Sequence, residues 1–265
     1  MPKIDVKQIV DEWKQELKTQ VKPYMKLSII QIGNDLASNI YIKGKKKDCE
    51  ELDIQCKHFK YEKTVSPDLI YQHIKEASNP IIIQLPVPNQ IDLNVINQII
   101  PLNYDVDGFS PFSKFLPCTP GGIVYLLDKI KFEYEYHQAV IIGRSQIVGR
   151  PMANILLDKN MTVSICHSKT SFYDMVNLCN NADLIISAVG KPKFITADMV
   201  KDGVTVVDVG INRVEGSKRI KGDVDFENVK DKCEFITPVP GGVGPMTIIT
   251  LMGNLLKAYE DLTND

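Results

Sequence analysis

The stretch Gln138–Leu157, QAVIIGRSQIVGRPMANILL, decides the fold. It opens with a short apolar run, Ala139–Ile142, which suits a buried parallel strand. Gly143, Arg144 and Ser145 follow, and then Gly149, Arg150 and Pro151. Proline suits the first turn of a helix, where a missing N–H removes nothing that the helix uses. Met152, Ile155 and Leu156 continue with the spacing of one helix face. A strand, turn and helix in this order leave free N–H groups and a positive dipole end at the turn, where a phosphate is stabilised. Ser145 stands where the second glycine of G-x-G-x-x-G would be, so an ordinary βα turn of a parallel sheet is the competing interpretation.

The next strand separates these alternatives. Met161–Cys166 runs into His167, Ser168, Lys169 and Thr170. A dinucleotide fold that prefers NAD ends its second strand in an acid for the ribose hydroxyls. Here that position has no acid. It has a hydroxyl and an ammonium, with the Arg144 guanidinium in the first turn. Those groups suit a 2′-phosphate, which a carboxylate would repel, so the expected cofactor is NADP.

Composition limits the other possibilities. The 265 residues suffice for one large or two modest domains, and 44% of them are hydrophobic. Thirty-one basic residues against 33 acidic ones give no general attraction to nucleic acid or an anionic membrane. The opening MPKIDVKQIVDEWK has no apolar core, so a secretory leader is not expected, and no window is apolar enough for a membrane span. The six cysteines are scattered without C-x-x-C and the four histidines lack ligand spacing. Reduced thiols, a cytoplasmic setting and no metal are therefore expected.

Read in order, the first part alternates helix and strand: a helix over Ile4–Val21, a strand over Leu27–Ile32, and a helix over Ser38–Glu51 with Ser38 as its cap. A strand at Cys56–Tyr61, a helix at Pro67–Ala77, a strand at Pro80–Leu85 and a helix at Asp92–Ile100 complete a small α/β domain with a largely parallel sheet. Asp105–Pro120 is rich in turn residues and too long for a routine connection, which marks a functional connector between domains. A linking helix is expected at Ile123–Ile130. A Rossmann-type domain follows, with short closing strands at Gly222–Val224 and Phe235–Ile236 and a rigid loop at Pro238–Thr247. The last helix, Ile248–Leu262, carries an apolar face that must be covered, so it is expected to return to the first domain. The domain boundaries read as 1–118, completed by 245–265, and 119–244.

Several polar groups could do chemistry. Tyr41 and Lys45 lie four residues apart and share a helix face. A lysine crowded by Lys43, Lys46 and Lys47 suits acid or base work near neutrality, although such runs are commonly solvated helix faces. Gln84 is an amide in an otherwise apolar strand, where it needs a partner. Asp105 and Asp107 stand in DVDG, where either could be a turn former.

Together these segments resemble the bifunctional methylenetetrahydrofolate dehydrogenase/methenyltetrahydrofolate cyclohydrolase family. The resemblance is carried by ASNIYIKGKKKDC (37–49), QLPVP (84–88), DVDGF (105–109), PCTPGG (117–122), GRSQIVGRP (143–151), CHSKT (166–170), DVGIN (208–212), GDV (222–224) and PVPGGVGPMT (238–247). It implies that Tyr41 stacks on the aminobenzoyl ring of a tetrahydrofolate derivative, and that Lys45 is the catalytic lysine with Gln84 beside it. It further implies that Leu85 lines the substrate site and that Asp107 holds the pterin edge. Gly143, Arg144, Ser145 and Ser168 would bind NADP, with the Ile211 backbone by the nicotinamide. Pro240, Gly241 and Gly242 would flank folate and cofactor, and the chain would form a homodimer through its nucleotide domains. Two positions depart from the family pattern: Asn103-Tyr104 replaces a lysine before DVDG, and Leu36 replaces a proline. A shikimate-type NADP dehydrogenase and a non-catalytic folate- or nucleotide-binding module are the alternatives, separated by turnover of methylenetetrahydrofolate.

Overall fold

The computed structural model describes residues 5–213 and 220–264. The chain opens with α1 (Val6–Lys18) and divides into two compact units. The first unit contains Asp11–Cys118 together with the chain from Ile248 on, and the second contains the chain up to Val10 with Thr119–Thr247.

In the first unit β1 (Lys26–Ile32) lies between β2 (Gln55–Tyr61) and β3 (Ile81–Gln84), and all three run parallel. Every residue of β1 after Lys26 is buried, as a strand covered on both faces requires. The helices α2 (Leu36–Glu51), α3 (Pro67–Lys75) and α4 (Leu93–Ile99) alternate with these strands. Ile30, Ile83, Ile70, Ile74 and Ile96 pack in one cluster of the core.

The cap of α2 is Asp35 and not Ser38. Its Oδ1 accepts the Ser38 N–H at 2.9 Å, so the helix begins at Leu36. Ser38 instead donates its hydroxyl to the Leu85 carbonyl at 2.9 Å and ties α2 to the end of β3. The connector is built around Asp105, which is fully buried. Its carboxylate accepts the Phe109 N–H at 3.0 Å and the Ser110 N–H at 2.7 Å.

From Thr119 on the second unit continues through α5 (Cys118–Lys129), which starts five residues before the expected linking helix. Pro120 falls in its first turn, where it interrupts no helical hydrogen bond. Then come β4 (Gln138–Ile142), α6 (Gly149–Asp158), β5 (Thr162–Cys166), α7 (Phe172–Asn181) and β6 (Leu184–Ser187). A 3-10 turn at Ala197–Met199 leads to β7 (Val204–Asp208), the antiparallel pair β8 (Asn212–Arg213) and β9 (Ile220–Lys221), α8 (Phe226–Val229) and β10 (Cys233–Ile236). The five-stranded sheet has the order β10-β7-β6-β4-β5, all parallel. Alternate strand residues face opposite sides. Val140, Ile142 and Ile185 join Met175 and Cys179 of α7, while Ala139, Ile141 and Ile186 join Leu127 of α5 and Met152 and Leu156 of α6. Such a doubly wound sheet binds ligands where the strand order reverses, here between β4 and β6.

Two expectations about this region are corrected. Gly222–Val224 is not a strand: Val224 makes one isolated bridge with Ile195, and the short pairing falls at β8 and β9. The reason is Asp223, whose neighbourhood is a polar clasp described below. The loop at Pro238–Thr247 ends at Gly242, because α9 runs over Val243–Asn264. Pro245 reads as a loop residue in sequence, but it falls within the first turn of α9, where proline fits.

From Ile248 on, α9 groups with the first unit, where it lies against α1 at Trp13 and against α2 at Gly44 and Cys49. A Cβ on Gly253 would stand 3.2 Å from the Trp13 ring, and one on Gly44 would stand 2.8 Å from Ile248. Asn254 donates to the Val106 and Leu116 carbonyls, each at 2.9 Å, and so holds the connector.

Candidate active site

Lys45 is the buried member of its lysine run. It is 5% exposed, whereas Lys43, Lys46 and Lys47 face solvent, Lys47 pairing with Glu51 at 3.4 Å. Helical spacing produces this difference, since Lys45 lies one turn from Tyr41 and Cys49 on the inward side. Gly44 lets the α9 side chain of Ile248 approach the helix beside it. The Lys45 ammonium donates to Gln84 Oε1 at 3.1 Å. Gln84 is likewise buried, and its Nε2 donates to the Leu85 carbonyl at 2.9 Å. The amide is thereby fixed with its oxygen toward the lysine. Tyr41 is half-buried, and burial pushes its phenol above the ordinary value.

Asp107 is half-buried, and its backbone carbonyl accepts the Cys118 N–H at 3.2 Å. Burial and then the Asp107 carboxylate push the Cys118 thiol well above its ordinary value, while the Lys45 ammonium pulls it down. Lys45, Asp107 and Cys118 therefore share one electrostatic neighbourhood. Asp105 has a different place: its carboxylate is used up by the turn, and burial raises it to about 6. Of the two aspartates left open in DVDG, Asp105 is the turn former. Beside the C-terminal ends of β1 and β3 a cavity of about 500 Å³ opens between Gly33, Asn34, Lys63 and Pro86.

The second unit gathers its candidates at the C-terminal ends of β4 and β5. Ile142 pairs with Cys166, and the Gly143 N–H donates to the Cys166 carbonyl at 2.9 Å, so the turns after the two strands are neighbours. Arg144, Ser145, Ser168 and Lys169 are exposed there. Gly143 has φ +123°, and a Cβ on it would meet the Ala188 carbonyl oxygen at 2.5 Å. A Cβ on Gly149 would collide with the Gly143 carbonyl. The strand-to-helix turn is thus drawn tight by glycines at both ends. Ser145 Oγ accepts the Val148 N–H at 3.2 Å at the start of α6. The turn leaves room for a close backbone approach, its flanks carry cations and hydroxyls, and β5 ends without an acid. These residues fit NADP. Ile211 is exposed just before β8, and Pro240 and Gly241 are exposed while Gly242 is buried.

The sequence reading missed Cys118 and Asn254 near the first group, and the paired aspartates Asp208 and Asp223 near the second. Cys118 stands among the turn residues of PCTPGG, and Asn254 is one polar residue in an apolar helix. Among the described residues no cluster of three His, Cys, Asp or Glu could hold a metal, and no helix is long and apolar enough to cross a membrane.

The fold and the two groups define a two-unit α/β protein with a doubly wound dinucleotide-type sheet and, in the companion unit, a buried lysine–amide pair. Comparison with known proteins agrees. Residues 4–107 match the tetrahydrofolate dehydrogenase/cyclohydrolase catalytic domain and residues 117–263 match the NAD(P)-binding domain of the same family. The bifunctional protein FolD of Agathobacter rectalis is 44% identical, covering 97% of this chain and 98% of that protein. The crystal structure of the bifunctional enzyme FolD, methylenetetrahydrofolate dehydrogenase/cyclohydrolase, from Campylobacter jejuni has a TM-score of 0.90 and 41% identity, covering 97% of this chain and 98% of that one. A Trypanosoma brucei methylenetetrahydrofolate dehydrogenase-cyclohydrolase, solved with NADP and an inhibitor, has a TM-score of 0.94 and 28% identity over the whole of both chains. The chain belongs to the tetrahydrofolate dehydrogenase/cyclohydrolase family.

Proposed function

We propose that this chain oxidises 5,10-methylenetetrahydrofolate with NADP and hydrolyses the resulting 5,10-methenyltetrahydrofolate to 10-formyltetrahydrofolate, two steps of one-carbon metabolism. The observation that carries this reading is the buried Lys45–Gln84 pair at 3.1 Å, beside Asp107, in a chain of this family.

The two steps ask different things of the protein. In the first, NADP supplies the hydride acceptor. The substrate carbon between two nitrogens becomes a cation that those nitrogens stabilise, and no proton leaves. The chain's task there is to hold the substrate in position. In the second, water adds to the methenyl carbon, a ring C–N bond breaks and protons move, which calls for an acid–base group within reach. Lys45 is that group in our reading. Gln84 orients it, Tyr41 stacks on the aminobenzoyl ring one helical turn away, and Leu85 and Asp107 hold the pterin. Gly143, Arg144, Ser145 and Ser168 hold NADP, with the 2′-phosphate near Arg144 and Ser168. Ile211 offers its backbone to the nicotinamide, and Pro240, Gly241 and Gly242 flank the substrate. Folate falls to residues 1–118 completed by 245–265, and NADP to 119–244.

We further assign the chain to the cytoplasm and to a homodimer formed through its nucleotide domains. All six cysteines are free, which supports a reducing compartment. Purified chain should form NADPH from methylenetetrahydrofolate and NADP, and should hydrolyse added methenyltetrahydrofolate without NADP at a rate well above buffer. Absence of both reactions contradicts the assignment.

A further inference from the structure

The blocks DVGIN and GDV contain two buried aspartates that the chemistry above does not use. Asp208 ends β7, and Asp223 lies two residues after β9. Asp223 is fully buried and Asp208 is 4% exposed. Five donors converge on Asp223. Its Oδ2 accepts the Val189 N–H at 2.8 Å, the Gly190 N–H at 3.2 Å and the Ser187 hydroxyl at 3.3 Å. Its Oδ1 accepts the Lys191 N–H at 2.9 Å and Asn212 Nδ2 at 2.8 Å. Asp208 secures Asp223 in turn. Its Oδ1 accepts the N–H groups of Asp223 and Gly210, each at 2.9 Å, and its Oδ2 accepts that of Val224 at 2.9 Å. The carboxylates pack so closely on Gly210 and Gly222 that a Cβ on either would collide with them.

Among the described residues neither aspartate pairs with a lysine or arginine. Their charge is balanced by N–H dipoles, an arrangement that is expensive to bury and persists only when nearly every acceptor site is used. Its effect is to join three segments that the chain leaves separate. These are the turn after β6, the stretch Gly210–Asn212 after β7, and the start of the α8 region. The first of them continues from Ala188, whose carbonyl packs against Gly143 across the β4–β6 reversal. The second contains Ile211.

We propose that Asp223 is a positioning residue for NADP: it fixes the Val189–Lys191 turn and the Gly210–Asn212 segment as one rigid edge of the dinucleotide crevice. The proposal rests on the reading that the second unit binds NADP. A carboxylate is needed because both of its oxygens must accept. An amide at this position would turn an NH2 toward N–H groups on one side or the other.

The test is calorimetric titration of NADP into wild type and Asp223→Asn, alongside hydrolysis of methenyltetrahydrofolate without NADP and a thermal melt. We expect D223N to bind NADP about tenfold or more weakly, while hydrolysis by the folded variant stays within about twofold. Should D223N fail to fold, Asn212→Ala removes one of the five donors and leaves both aspartates. It should weaken NADP about threefold and spare hydrolysis. Unchanged NADP affinity in folded D223N, or in N212A where D223N does not fold, overturns the proposal. So does an equal loss of NADP affinity and hydrolysis, which marks a purely structural role. A wild-type chain that hydrolyses methenyltetrahydrofolate but binds no NADP overturns the underlying reading, and the proposal with it.

Discussion

Lys45 and Arg144 are both cations near the C-terminal ends of a parallel sheet, yet their surroundings are opposite. Lys45 is 5% exposed and is held by a buried amide that is itself fixed by a neighbouring carbonyl. Arg144 is exposed, in a turn whose shape is set by Gly143 and Gly149. Proton transfer needs a group whose distance to the substrate is fixed and whose surroundings exclude bulk water. Recognition of a phosphate needs charge and N–H groups at a rim, where a large hydrated anion can arrive. In the proposed function each unit serves one of these needs, and the difference can be tested from both sides.

The largest effect is expected from Lys45→Met. It removes the proposed acid–base group but keeps the volume and apolar contacts of the side-chain stem. Hydrolysis of methenyltetrahydrofolate should fall by roughly 10²–10⁴-fold, with NADP affinity measured by titration unchanged. If NADP affinity fell in parallel, the division between the two groups would be lost.

Next comes the electrostatics of the scaffold. Burial holds Asp105 in one unit and Asp208 in the other at about 6, against the N–H bonds that favour the charged form. An unfolded aspartate titrates near 3.9. The folded state therefore binds the proton more tightly, and the stability this contributes is full below about pH 4 and lost as pH rises through about 6. Relative to Asp105→Asn, the wild type should lose about 2–3 kcal/mol between those limits in denaturant titrations. Parallel pH curves for the two proteins would show that burial does not dominate at Asp105. Asp208→Asn provides the matching measurement in the other unit.

Arg144→Ala should be milder. Removing one charged donor from an exposed site should weaken NADP by about tenfold and NAD hardly at all. Equal losses for both cofactors would remove the 2′-phosphate from Arg144. The smallest effect belongs to Ser38→Ala, which deletes the 2.9 Å bond from α2 to the Leu85 carbonyl. A stability loss of about 1 kcal/mol is expected, with a modest rise in KM for the folate, since α2 carries Tyr41 and Lys45. A KM that stays fixed would show that α2 is held in place without this bond.

Much of this was legible in the sequence. Apolar runs such as Ala139–Ile142 and PIIIQL marked the buried strands, and the helices alternating with them implied the parallel order. That Gln84 needs a partner could be read from its apolar strand, whereas Lys45 as that partner was implied only by the family resemblance. What stayed hidden was tertiary in origin. Helix starts at Cys118 and Val243 were obscured because Pro120, Pro245 and their glycines resemble loops until their place in a first turn is known. Ser38 looked like a cap because nothing local shows that Asp35 takes the part. The clasp around Asp223 stayed hidden, since its five donors come from two separate segments of the chain, Ser187–Lys191 and Asn212.

The most direct measurement is one reaction trace that records NADPH and methenyl absorbance together, starting from methylenetetrahydrofolate and NADP. For the wild type we expect NADPH to accumulate while the methenyl signal stays low. For Lys45→Met both signals should climb in step, because oxidation continues and hydrolysis does not. A Lys45→Met trace indistinguishable from that of the wild type would contradict the assignment of proton chemistry to the buried lysine.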